Sequence, residues 1–218
     1  MLENQFNIFG ILVTLVTFGL IPLFVVTMTA FLKIAVVMFL VRNALGIQQT
    51  PPNLVLYAIA LVLTIYVSAP VLSDINGRLN ASPVDMNSVA GVQDVATRVR
   101  EPVKEHLTRF AHHNERQFFL AATQRIWPES ARAQVKDDDI MILLPAFVSS
   151  ELTRAFEIGF LLYLPFLVID LVVSNILMAM GMIMVAPTLI SIPLKLFLFV
   201  TVDGWSRLMH GLIMSYGV

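Results

Sequence analysis

Hydrophobic and polar positions divide the chain into three zones. Residues 1–72 and 140–218 are nearly uncharged, whereas residues 73–139 hold 9 of the 14 Lys and Arg residues and 10 of the 15 Asp and Glu residues. The outer zones contain long apolar runs without the alternation that is typical of strands. The pattern predicts an all-α chain with a hydrophobic N-terminal hairpin, a polar helical central region and a hydrophobic C-terminal region.

The N-terminal zone contains two runs of the length that crosses a bilayer. Residues 4–32 carry no charge and residues 54–72 form a second apolar run, while a spanning helix needs about 20 residues. Pro22 predicts a kink, since proline removes a backbone donor. Gly46 predicts the end of the helical pattern. Thr50-Pro51 predicts the start of the second helix of the hairpin.

The central zone predicts an amphipathic helix between two loops. We expect one loop over residues 73–88, a solvated loop over residues 136–139 and a helix break at Pro102. Trp127 and the proline after it predict the end of the helical part. The apolar stripe recurs at spacings of three and four residues, as one face of a helix requires. Its members are Val92, Val95, Val99, Val103, Leu107 and Phe110.

The C-terminal zone predicts several interrupted helices. Residues 140–148 are expected to break at Pro145, and residues 150–163 are expected to form an amphipathic helix. Residues 171–194 form an uncharged run that is too irregular for one straight helix. The residues that interrupt this run are Gly181, Pro187 and Pro193.

Composition argues against a soluble protein and indicates that lipid, partner subunits or both cover the apolar surface. Hydrophobic residues make up 57% and charged residues 13% of the sequence, against about 45–50% and about 25% in soluble domains. The net charge of −1 gives no indication of a nucleic-acid partner. Without cysteine, disulfides and thiol chemistry are excluded. Residues 1–5 contain no Lys or Arg, so we expect no cleaved signal peptide.

Isolated charges in the apolar zones are the first candidate functional residues. Lys33 and Asp170 each lie within apolar sequence, where an ionised group costs roughly 2.5–3.5 kcal/mol. These residues could belong to a path for protons or ions, or they could form a structural ion pair. Lys195 and Asp203 can be interpreted in the same two ways. Another charged group is predicted to share one helix face and to pair between neighbouring subunits. Its members are Glu151, Arg154 and Glu157.

No catalytic, cofactor or metal site is predicted. His106, His112, His113 and Glu115 are clustered, but their spacing differs from a zinc motif and fits a solvated helix surface. Ser150 before Glu151 is ordinary chemistry for the start of a helix.

Four methionines alternate through a short stretch. They are Met178, Met180, Met182 and Met184. Methionine fills irregular gaps and adaptable surfaces, so packing against lipid or core is one interpretation. Because Gly181 and Pro187 indicate irregular backbone, which survives at membrane depth only when protein or water covers it, the alternative is a pore-lining loop.

Several longer motifs resemble the SctR/FliP family, the R-type export-apparatus subunits of bacterial type III secretion systems. The motifs are Phe31-Leu32-Lys33-Ile34, Val41-Arg42-Asn43-Ala44-Leu45-Gly46-Ile47-Gln48-Gln49, Thr50-Pro51-Pro52-Asn53, Leu144-Pro145-Ala146-Phe147-Val148-Ser149-Ser150-Glu151-Leu152, Leu164-Pro165-Phe166-Leu167-Val168-Ile169-Asp170, Ile192-Pro193-Leu194-Lys195 and Val202-Asp203-Gly204-Trp205. The Gln48-Gln49 pair is more similar to the injectisome branch than to the flagellar branch.

The resemblance implies a membrane-associated ring subunit built from helical hairpins with kinked helices. It implies five copies that join S-type and T-type subunits in the bacterial inner membrane and form the entry portal for unfolded substrates. It also implies contact with the inner rod and needle, and no enzymatic activity. A methionine gasket maps onto Gly181, Met182, Ile183 and Met184, where Ile183 departs from the family's methionine.

Two other functions compete with the export portal. One is a small-solute or ion transporter that uses Lys33 and Asp170, and the other is an intramembrane hydrolase. The transporter requires polar groups that face one another at mid-depth. The hydrolase requires a catalytic set that the four histidines and nearby serines do not supply.

The first testable prediction concerns topology. Lys33 and Arg42 follow the first apolar run, and positive residues favour the cytoplasmic side. We therefore expect residues 42–53 inside the cell, and the N-terminus and residues 73–139 in the periplasm. An impermeant thiol reagent should label Ser88→Cys but not Gln48→Cys in intact spheroplasts. If only position 48 were labelled, the topology would be the opposite of the predicted one.

Overall fold

The structure, a computed structural model, describes residues 8–81, 89–132 and 135–217. All the regular elements in these ranges are helices, which confirms the predicted all-α class. They are α1 (Ile8–Met28), α2 (Phe31–Ala44), α3 (Asn53–Asn80), α4 (Val89–Phe110), α5 (His113–Ile126), α6 (Glu129–Arg132), α7 (Ile140–Ala179), α8 (Thr188–Thr201) and α9 (Gly204–Met214). The expectation for residues 1–5, and Pro83 in the expected loop, lie outside the described ranges.

Prolines interrupt fewer helices than the sequence predicts. α1 continues through Pro22 and ends at Met28. The predicted breaks at Pro102, Pro145 and Pro193 are wrong, because α4, α7 and α8 continue through them. A proline inside a helix costs about 3 kcal/mol, whereas each helix end leaves about four backbone groups without helical partners. α7 and α8 lie in an apolar zone, where those groups are costlier to leave open, so the longer helices are favoured there.

Two further boundaries differ from expectation. Residues 73–80 belong to α3 rather than to a loop. α3 begins at Asn53, and the carbonyl of Pro52 accepts from the backbone N–H groups of Val55 and Leu56 at 3.0 and 3.3 Å. The helix therefore starts after Thr50-Pro51, which is a cis peptide. The predicted ends at Gly46, with φ 78°, and at Trp127, directly after α5, are confirmed.

The chain divides into two compact units. The first comprises Met1–Ala30 and Ser68–Glu151, and the second comprises Phe31–Val67 and Leu152–Val218. The core of the first unit joins α4 to the start of α7 through Leu107, Leu143 and Phe147. Ser150 Oγ donates to the carbonyl of Ala146 at 2.6 Å and accepts from the backbone N–H of His112 at 2.8 Å, which holds the start of α5.

The acidic loop of residues 137–139 forms ion pairs with basic side chains on the polar side of this unit. Asp138 contacts Lys104 Nζ at 2.6 Å, Asp139 contacts Arg100 at 3.7 Å and Asp137 contacts Arg116 at 3.9 Å. The hydrogen bond between Lys104 and Asp138 lowers the pKa of the carboxyl and raises the pKa of the amine. The loop is solvent-exposed as expected, with the side chains of Asp137 and Asp138 46% and 44% exposed, and these ion pairs also hold it to α4 and α5.

The second unit is built around α2. Its buried face includes Ile34, Val37, Met38 and Val41. Arg42 Nη1 donates to Asn53 Oδ1 at 2.6 Å and to the carbonyl of Pro51 at 3.2 Å. This pair of bonds fixes the connection between α2 and α3, because one guanidinium binds both its backbone and the first residue of the next helix.

Close helix packing in the second unit depends on two glycines. A Cβ on Gly159 would lie 2.3 Å from Leu40 Cδ1, and a Cβ on Gly204 would lie 2.3 Å from the ring of Phe199. A larger residue at either position would force these neighbours apart.

Two helices, α3 and α7, are long and apolar enough to cross a membrane. The number rises to four if the pairs α1–α2 and α8–α9 each count as one bent span. Both figures apply to the described ranges. They agree with the membrane class that composition predicts.

Acid should destabilise the first unit through His106. Its ring packs against Phe110 and Phe147, and burial lowers the pKa of this histidine, with Arg109 adding to the effect and Glu151 opposing it. A lowered folded-state pKa gives stability that is complete above the unfolded pKa of about 6.5 and is lost as pH falls through the folded value.

We therefore expect the apparent Tm of the detergent-extracted protein to fall between about pH 7.5 and pH 5.5. His106→Phe should flatten that dependence, because Phe fills the same aromatic site without titrating. Exposed His113, changed to Gln, is the matched control and should keep the parent curve. An unchanged slope in His106→Phe would contradict this assignment.

Candidate functional site

The methionine-rich segment between α7 and α8 folds as a tight, capped turn. Gly181 has φ +74°. The N–H of Met182 donates to the carbonyl of Leu177 at 2.9 Å, and the N–H of Gly181 donates to the carbonyl of Met178 at 3.0 Å. These bonds form a Schellman motif, in which glycine takes the left-handed position after the last helical turn. Gly181 and the following turn therefore end α7, as the sequence predicts.

The tip of this turn presents apolar side chains outward. Met182 is 45% exposed, Ile183 is 85% exposed and Met184 is fully exposed. Exposed apolar residues at the end of a helical pair mark a surface that another molecule or another copy covers. We call residues 180–187 the methionine loop.

Lys195 is a buried lysine of α8, the helix after this loop, and it forms an ion pair with the partly exposed Asp170 of α7. Its side chain is 4% exposed, and Nζ donates to Asp170 Oδ2 at 2.6 Å and to the carbonyl of Ala44 at 3.0 Å. One ammonium thus connects α2, α7 and α8. This arrangement agrees with the interpretation that isolated charges in the apolar zones form structural ion pairs.

Lys33 lies elsewhere in the same unit. Its Nζ is 3.5 Å from the centre of the Tyr216 ring, and the residue is 1% exposed. A cation over an aromatic face is stabilised by the ring quadrupole, the more so when water is excluded. Asp170 is therefore joined to Lys195, while Lys33 is held by an aromatic side chain, and the geometry does not favour the transporter based on Lys33 and Asp170.

The remaining predicted charges have different environments. Glu151 is completely buried, Arg154 is half-buried and Glu157 is exposed, so they do not present one uniform charged face. Asp203 adopts the left-handed conformation with φ 53° and precedes α9. Its carbonyl accepts from the N–H of Arg207 at 3.0 Å, which starts that helix.

Two of the candidate catalytic and metal residues, His106 and Ser150, are held by packing or backbone contacts. Within residues 8–81, 89–132 and 135–217, no three His, Cys, Asp or Glu residues gather as a metal site. His106 belongs to an aromatic cluster. Ser150 is engaged by the backbone of Ala146 and His112.

Sequence reasoning missed the partnership of Asp170 with Lys195. A signal was present, because the two residues lie at similar distances on either side of the methionine loop and carry opposite charges. It also missed the hydrogen bonds from Arg42 to Pro51 and Asn53 at the start of α3. The contact of Lys33 with the ring of Tyr216 was missed as well. Those contacts join distant segments and have no local periodicity.

Comparisons with known proteins agree with the motifs. The model of the FliP family matches residues 12–212. The probable translocation protein y4yL of Sinorhizobium fredii is 55% identical over 99% of this chain and 97% of its own length. The Yop proteins translocation protein R of Yersinia pestis is 48% identical over 95% and 96% of the two chains. The virulence protein YscR of Salmonella typhimurium is 42% identical over 98% of each.

Breaking the Lys195 ion pair should destabilise the second unit. Asp170→Asn leaves a buried ammonium without its counter-ion. Loss of one partner from a buried pair costs about 3–5 kcal/mol, and the lower end applies because Asp170 keeps 36% of its side chain exposed. SDS titration of the purified protein should show this loss. The double variant Asp170→Asn with Lys195→Met should recover most of it.

Asp203→Asn is the matched control. Asn tolerates the left-handed conformation as Asp does, and position 203 is exposed. Equal losses in Asp170→Asn and Asp203→Asn would show that the buried pair has no special role.

Proposed function

Since the chain belongs to the FliP family of type III secretion proteins, we propose that it lines the entry portal through which unfolded proteins cross the bacterial inner membrane. The observation that carries this proposal is the methionine loop. It combines fully apolar, exposed side chains at the tip with a base that a buried ion pair fixes. The gate residues in this proposal are Met182, Ile183 and Met184, with Gly181 setting the turn.

A portal for unfolded chains must close without a substrate and yield around one. Charged side chains would solvate ions and fail to close it, whereas an apolar constriction excludes ions by dewetting. Methionine is unbranched and polarizable, so it adapts to passing side chains of different shape. Ile183 keeps the constriction apolar but adds a stiffer, branched side chain.

The exposed apolar surface supports assembly with other subunits. α7 alone exposes Phe156, Phe160, Leu161, Val168 and Leu171 by more than half of each side chain. We propose a ring of five copies that joins S-type and T-type subunits and meets the inner rod and needle. Residues 73–139 lie on the periplasmic side in this arrangement. The portal is passive and performs no enzymatic reaction.

The gate proposal predicts a leak. Met182→Ala with Met184→Ala removes the longest side chains from the tip and should widen the aperture. We expect increased entry of small solutes, or a lower membrane potential, in cells carrying the assembled complex, with protein secretion reduced less than the barrier. Ile183→Met should keep both the barrier and secretion.

The matched control is Met141→Ala with Met214→Ala. These residues are 70% and 76% exposed and lie outside the methionine loop, so the same amount of apolar side chain is removed elsewhere. If the loop variant stays as tight as the parent, the methionines serve packing and the gate lies at another position.

A further inference from the structure

Two surfaces of the second unit each contain a charge that forms no ion pair with another described residue. The first is a groove of about 610 Å³ between α2, α7, α8 and α9. Its walls are apolar and include Val41, Phe166, Leu208 and Leu212, and Arg207 lies on its lining. We call it the Arg207 groove. Among the described residues, no acidic side chain forms an ion pair with Arg207.

The second surface is the outer face of α7, which we call the Glu157 ridge. It consists of Phe156, Glu157, Phe160, Leu161 and Leu164, with Phe160 and Leu161 62% and 65% exposed. Within the part of the chain that the structure describes, the carboxylate of Glu157 has no cationic partner. A carboxylate among lipid-facing side chains is costly, so this ridge is poorly suited to bare lipid.

Each surface supplies what the other lacks. The groove offers apolar walls and one cation, and the ridge offers large apolar side chains and one anion. We propose that the Glu157 ridge of one copy inserts into the Arg207 groove of the next copy, with Glu157 paired to Arg207. A desolvated bidentate pair of this kind fixes register as well as adding energy. This inference rests on the proposed oligomeric portal and identifies its subunit contact.

The contact is head-to-tail. Ridge positions 157, 161 and 164 and groove positions 158, 162 and 165 are each one residue apart on α7, which separates the two faces by about 100° around the helix. One copy therefore receives a neighbour on one face and inserts into another neighbour on the next face. Such heterologous contacts close into rings when the rotation allows it.

Gly211 keeps the groove open. A Cβ built on this helical glycine meets no atom within 4 Å, although the residue lines the groove. A larger side chain here would fill the space that the ridge needs without displacing atoms of its own copy. Replacing glycine within a helix also improves local helix propensity, so the variant should fold.

Cysteine cross-linking tests the contact, and the chain offers a clean background because it contains no cysteine. The Glu157→Cys, Arg207→Cys double variant, oxidised in membranes with its partner subunits present, should give a ladder of multimers. Co-expression of the two single variants should give no product larger than a dimer, since each chain then carries one reactive face. A dimer alone from the double variant would indicate a two-fold contact and overturn the proposal.

Gly211→Leu in the double-cysteine background should reduce the ladder about tenfold or more, which corresponds to loss of one good contact. Gly77→Leu is the matched control, because its Cβ also meets no atom within 4 Å and it lies outside the groove. In the cysteine-free parent, Glu157→Arg and Arg207→Glu should each reduce the oligomer recovered after extraction. Combining them should restore it.

The outcomes separate this inference from the proposed function. A complex that assembles and secretes while the 157–207 pair stays unlinked would overturn the contact and leave the portal intact. A chain that stays monomeric with its partners would overturn both. A phospholipid that co-purifies with the parent, but not with Gly211→Leu, while the ladder persists would assign the groove to lipid instead.

Discussion

The buried ammonium of Lys195 sets the arrangement of the second unit. An ammonium removed from water needs acceptors, and the two in the structure come from α2 and α7. Because Asp170 precedes the methionine loop and Lys195 follows it, the pair ties together the two helices that the loop connects. The loop itself needs few contacts at its tip, since its base is fixed by this pair and its start by the Schellman motif at Gly181. The proposed portal needs such a loop, because a deformable apolar tip on a fixed base could close the aperture between substrates.

The same unit leaves much apolar surface exposed, and that surface is not uniform. Side chains of α3 and α7 such as Val62 and Val168 carry no polar groups and suit either lipid or protein. Among the described residues, the Glu157 ridge and the Arg207 groove each add one charge without an ion-pair partner, which suits protein better than hydrocarbon. If these surfaces meet as proposed, charge separates the faces that contact a neighbouring copy from those that contact lipid, a distinction that hydropathy alone does not make. In the first unit, paired charges hold the polar side together instead.

Much of the fold is readable from the sequence because hydropathy and helical period are local signals. The apolar runs, the stripe around Leu107 and the turn at Gly181 follow from them. Proline positions gave wrong helix breaks in the apolar C-terminal zone. A long helix in apolar surroundings tolerates the loss of one backbone hydrogen bond more readily than an additional helix end with unpaired backbone groups. Contacts between distant segments were not predicted, although the opposite charges of Asp170 and Lys195 on either side of the methionine loop gave one signal. Lys195 with Asp170, and Lys33 with Tyr216, depend on packing that brings remote residues together. The site charges were recognised individually, but their partners required the structure.

In the proposed portal, secreted chains pass along the methionine loop. The most direct measurement places a photo-activatable amino acid at Ile183, whose side chain is 85% exposed at the loop tip, and stalls a substrate fused to a domain that resists unfolding. We predict that light cross-links position 183 to the stalled substrate. The same probe at Ile126, which is 75% exposed in the first unit, should give no such product. Secretion-competent complexes that cross-link substrate at position 126 but not at position 183 would contradict the account.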